Sequence, residues 1–148
     1  MSELEQIKDI LREELTGYLA LQDLLQKERR CLVDLRFSEI EELSKKKDLI
    51  MMRLRLLDNE RLKITERLRL KMKTEKVLNL KSIYEITGDE DFLHLRSRLI
   101  SLLQAISELN SFNRLLIDRS LNYVKNASSL LEALGVNTPR STSLSREV

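Results

Sequence analysis

Few side chains in this sequence could carry chemistry. Cys31 is the one cysteine and His94 the one histidine. A tetrahedral zinc site draws on several Cys, His and carboxylate ligands at short spacings. A lone Cys far from a lone His does not make one, so no metal or cofactor is expected, and His94 is expected as a solvated helix-surface residue near a helix start. Nucleophilic catalysis needs a base beside the nucleophile, and phosphate chemistry needs a glycine-rich loop. The three glycines, Gly17, Gly88 and Gly135, stand far apart. Asp and Glu abound, but carboxylates do acid–base work only when a pocket splits their environments. The expectation is a protein that is not an enzyme.

Two other patterns invite a binding role. The first is the basic run at 53–73, RLRLLDNERLKITERLRLKMK. Acidic residues interrupt it, no aromatic stands within it to stack a base, and the whole chain carries a net charge of only +2. It reads as a solvated helix face, and no nucleic-acid partner is expected. The second is LNSFNRLLIDRSLNYV at 109–124. It continues a heptad of apolar residues yet places Asn113 and Ser120 on the seam. A polar seam residue fixes register at some cost in stability, which accounts for Asn113 alone. The amides and hydroxyl of Asn110, Asn113 and Ser120 lie among Leu116, Ile117, Leu121, Tyr123 and Val124, with few charges between 115 and 131. That mixture is expected to bind a partner helix, the apolar groups burying it and the polar ones satisfying its backbone. Ile117, Leu121 and Val124 are expected to form a second apolar face that the chain itself leaves uncovered.

The elements that must position these residues are helices. Charged residues make up 34% of the chain and aromatics 4%, with one proline and no tryptophan. Strands and turns need more Gly, Pro and β-branched residues than that. A first helix is expected from about Glu3 to Leu35, with seam residues that include Leu11, Glu14, Leu25 and Glu28; Gly17 inside it could mark a bend. Ser38-Glu39-Ile40-Glu41 has the form of a capping box and starts a second helix, which is expected to run to Gly88. Its seam includes Lys47, Leu54, Arg61 and Lys71. Leu49, Met51, Met52, Leu56 and Leu62 lie beside that seam, so this helix should meet more than one neighbour. The Met51-Met52-Leu56 strip is the alternative place for a partner. Thr87 or Asp89 caps a third helix, whose first turn holds Glu90 and Asp91 and whose seam runs from Phe92 to Leu134; Gly135 stops it. The expected fold is all-α: three helices in an elongated antiparallel hairpin or coiled coil, breaks near 36–38 and 87–89, the second and third being antiparallel neighbours.

Residues 1–135 are expected to form the single helical domain, and 136–148, with Pro139 and many Ser and Thr, a disordered tail. Charge divides unevenly. Residues 1–44 hold six basic and eleven acidic side chains, and residues 45–86 hold thirteen and six, so the first two helices should attract. No apolar run approaches the roughly 20 residues of a membrane span, and no signal-peptide core is seen. A cytoplasmic protein without membrane insertion is expected.

The order Asn110, Asn113, Leu116, Ile117, Ser120, Leu121, Val124 resembles the C-terminal helix of the FlgN-type flagellar export chaperones. LLQKERRCLVDLRFSEIEELSKKKDLI at 24–50 is also similar to that family. The resemblance implies a cytosolic, all-helical, non-enzymatic chaperone. It would bind the C-terminal helices of hook-filament junction proteins, prevent their premature assembly and bring them to the flagellar export gate. The competing expectation is a generic coiled-coil adapter or scaffold that homodimerises or forms larger homo-oligomers through the same apolar face.

Overall fold

A computed structural model of the chain describes residues 2–136. All regular structure among them is α-helical, in four helices rather than three: α1 (Glu3–Val33), α2 (Phe37–Lys71), α3 (Leu80–Thr87) and α4 (Glu90–Ala133). The expected tail lies outside the described residues apart from Val136.

The additional break falls at 72–79, where the second helix was expected to continue. Lys73 takes a positive φ of 52°, and the Thr74 amide donates back to the Arg69 carbonyl at 3.4 Å. The same backbone closure ends α1. There Leu35 has φ 57°, and the Arg36 amide reaches the Cys31 carbonyl at 2.8 Å. In this closure the residue past the helix end turns left-handed so that trailing amides satisfy the last carbonyls. Glycine is its usual occupant, and Leu35 and Lys73 fill the position without one. The turn at Leu35 also corrects the expected capping box. Helix α2 starts one residue before Ser38, and its N-cap, Arg36, makes no side-chain capping bond.

Gly88 behaves as its type suggests: φ is 70° and its amide donates to the Tyr84 carbonyl at 2.7 Å. Asp89 then caps α4, its carboxylate accepting from the Asp91 amide at 3.1 Å. Asn79 starts α3 similarly, accepting from Ser82 at 2.8 Å.

Helix α1 is the central element, packed along α2 on one side and α4 on the other, while α3 packs on α4. The two longest helices are therefore not the adjacent antiparallel neighbours expected from the sequence, because α1 lies between them. Its actual place follows from the 72–89 segment, which is a crossover holding a helix of its own rather than a tight turn. Three ion pairs and one hydrogen bond fix the directions. Glu14 meets Arg61 and Glu28 meets Lys47, so α1 and α2 are antiparallel. Lys8 meets Asp89 and Glu28 meets Asn113, so α1 and α4 run the same way. The main core gathers Ile7, Leu11 and Leu15 of α1, Leu57, Ile64 and Leu68 of α2, Ile83 of α3, and Phe92, Leu95 and Leu99 of α4. Gly17 permits close approach rather than a bend: α1 continues through it, and a Cβ there would lie 2.7 Å from the Leu54 side chain of α2.

Candidate functional site: the distal half of helix α4

The seam of α4 begins well covered. Phe92, Leu95, Leu99 and Leu102 are buried against α1 and its neighbours. At Asn113 the covering partner is polar. The Asn113 side chain is 1% exposed, and its amide nitrogen donates to the Leu25 carbonyl at 2.8 Å and to the Glu28 carboxylate at 3.0 Å. Glu28 also accepts from Lys47 of α2 at 3.1 Å. One polar layer thus ties three helices together at seam positions of each, and it fixes their register. The Asn113 side-chain oxygen, Oδ1, has no hydrogen-bond partner among the described residues. A second layer, Glu14 with Arg61 at 2.6 Å, ties α1 to α2. Burial holds the Glu14 carboxyl above its ordinary value, against the downward pull of Arg61.

Above Asn113 the seam outlasts its partner. Leu116 and Ile117 pack, half-buried, on the small cluster of Cys31, Leu32 and Ile40 where α1 ends and α2 begins. The Cys31 thiol is buried and donates to Glu39 at 3.4 Å, and desolvation pushes its pKa up. Ser120 is still buried, and no residue from Leu121 to Val136 is. Helix α4 runs on for roughly 24 Å past Ile117, at 1.5 Å per residue. Along this stretch Tyr123 is 69% exposed, Leu130 62% and Leu134 69%. Lys125 and Glu132 are its only charges between 121 and 136. The distal face of α4 is thus apolar, exposed and short of charge.

The predicted residues therefore divide. Asn113 and Ser120 face the bundle. Leu116, Ile117, Leu121 and Val124 sit at its margin, half-buried. Asn110 and Tyr123 are exposed. Leu130, Leu131 and Leu134, exposed beyond them, were absent from the sequence-based set. Their signal was present, because the seam positions that place Asn113 and Ser120 also place Leu130 and Leu134. What the sequence did not show was where α1 stops covering them.

The groups that could do chemistry are dispersed. His94 is exposed on α4, and the described residues hold no cluster of His, Cys, Asp and Glu that could take a metal ion. No helix among them is long and apolar enough to cross a membrane. The described residues thus form an all-helical fold whose last helix runs on uncovered. The FlgN protein family matches residues 1–139. The chain belongs to that family, one of flagellar export chaperones. Comparison with curated proteins gave no match, and neither did comparison with solved structures.

Proposed function

We propose that this protein is a cytoplasmic chaperone of flagellar type III export, and that the distal half of α4 receives the C-terminal helices of hook-filament junction proteins. The observation that carries the reading is the α4 seam running past the end of α1. A client helix laid on Leu116, Leu121, Tyr123, Val124 and Leu130 would continue the packing that α1 provides lower down. Export clients that assemble through amphipathic helices are adhesive while unassembled, and a second apolar helix masks them. Burial of this kind reverses without bond chemistry, as delivery to an export gate requires.

The test couples stability to binding. Leu130 is 62% exposed, so Leu130→Asp should cost no more than about 0.5 kcal/mol of folding stability. Leu121 is half-buried, and Leu121→Asp should cost about 1–2 kcal/mol. Both should weaken binding of hook-junction C-terminal peptides by about tenfold or more, roughly 1.4 kcal/mol. Unchanged peptide binding by Leu130→Asp would overturn the placement. Light scattering that shows an obligate oligomer indifferent to the peptide would favour the homo-oligomeric scaffold instead.

A further inference from the structure

Helix α1 ends one step short of its own seam. Leu25, Glu28 and Leu32 are buried between α2 and α4, and the same spacing of three and four places Leu35 next. The fold does not bury it. The chain turns left-handed at Leu35, with φ 57°, and leaves the residue 56% exposed. Leucine suits neither condition. Its Cβ resists a positive φ that glycine takes freely, and its apolar side chain gains nothing from facing water. Lys73 makes the same turn past the end of α2, but its charged side chain belongs in solvent. At Leu35 alone is strain combined with unused apolar surface, and strain kept at such a position marks a use beyond folding.

The level of the turn supplies that use. Asn113 of α4 bonds Leu25 and Glu28 of α1 across separations of 88 and 85 residues in the chain. Between two helices running the same way the offset carries forward, so Leu35 comes level with Ser120 to Tyr123. Burial on α4 ceases there: Ser120 is buried and no residue from Leu121 to Val136 is. Just below, Leu116 and Ile117 pack on the Cys31, Leu32 and Ile40 cluster that the turn closes. Leu35 therefore stands where the track taken by α1 ends and the uncovered track of α4 begins. A helix fills that track below Leu35, and the same track above it has the shape to take another.

We propose that Leu35 is the end stop of the distal α4 track: the terminal turn of a bound amphipathic helix packs on its side chain, and this contact sets where along α4 that helix begins. The proposal rests on the reading of distal α4 as a client surface and adds the residue that fixes the client's register. From Leu121 to Ala133, α4 offers roughly 18 Å at 1.5 Å per residue. A longer client helix overhangs the free end of α4 rather than riding over α1. An apolar residue in the client's terminal turn is the feature that Leu35 recognises.

Urea midpoints and binding of a hook-junction C-terminal peptide, both measured on the full chain, test it. Leu35→Gly relieves the backbone strain and removes the side chain. Its midpoint should rise while its peptide affinity falls about fivefold or more. Lys73→Gly relieves the same strain beyond the other end of α2, so its midpoint should rise with affinity unchanged. Leu35→Met keeps an apolar side chain of similar volume and should hold affinity within about twofold. A purely structural leucine would move midpoint and affinity in the same direction. Unchanged affinity in Leu35→Gly, an equal loss in Lys73→Gly or Leu35→Met, or a lowered midpoint in Leu35→Gly overturns the proposal. If Leu130→Asp still loses the peptide in that case, the reading of distal α4 stands without it. A wild-type chain that fails to bind the peptide overturns both.

Discussion

At the scale of single residues, the polar groups on the seams decide more than the apolar ones. Leucine packs against leucine in any register, but Glu28 can meet Lys47 and Asn113 in one register only. Asn113→Asp would set a second carboxylate against Glu28 in a layer where Asn113 is 1% exposed. The loss should be about 3–5 kcal/mol at neutral pH, read as a lower urea midpoint, and it should shrink on acidification as the new carboxyl protonates. Glu14 and Asp89 respond to pH in opposite directions. Burial raises the Glu14 pKa in the folded state, so folding takes up a proton there, and stability falls as pH rises from the ordinary Glu value to the folded one. The hydrogen bond from Lys8 at 2.8 Å lowers the Asp89 pKa. Its contribution is present above the ordinary Asp value and is lost as pH falls through the folded one. Glu14→Gln should therefore remove the downward slope of stability that sets in as pH rises above the ordinary Glu value and leave the acid-side loss from Asp89 in place, as urea midpoints measured across acidic pH would show.

At the scale of the helix, what the sequence revealed and what it hid have a common physical origin. Gly88 and Asp89 announced the start of α4 because each residue type suits its position: glycine the left-handed turn, aspartate the free amides. The ends of α1 and α2 were harder to see. Leu35 and Lys73 make the same backbone turn in side chains that ordinarily continue a helix, and the segment 72–79 contains neither Gly nor Pro. Only Asn79, a good cap three residues before Ser82, hinted at α3. The seams were legible because burial imposes a period. The placing of α1 at the centre was not, because it depends on the length of a crossover that a missed break concealed. A left-handed residue other than glycine costs about 1–2 kcal/mol, and glycine returns part of that gain through the entropy of the unfolded chain. Leu35→Gly and Lys73→Gly should each raise the unfolding free energy by about 0.5–1 kcal/mol, measurable in urea.

At the scale of the whole molecule, α4 changes character along its length. From Phe92 to Asn113 its seam is locked to α1, and from Leu121 onward none of its residues is buried. Local opening free energy follows buried contact. Amides of residues 122–133 should therefore exchange with solvent about a hundredfold or more faster than those of 95–113, equivalent to roughly 2.7 kcal/mol. A saturating client peptide should slow the distal set selectively. Uniform protection along α4 in the free protein would show that its distal half is held by something other than the contacts described here.

The central position of α1 also orders events in time. As the chain emerges from the ribosome, α1 and α2 meet across a short turn at 34–36, and loop closure over so few residues is fast. The other side of α1, with Ile7, Leu11 and the Lys8 ammonium, must wait for α4, since Lys8 and Asp89 are separated by 81 positions in the chain. The nascent hairpin therefore passes through an interval with an apolar flank bare, until α4 closes over it. The arrival of α4 thus buries its own first half against α1 and leaves its second half open.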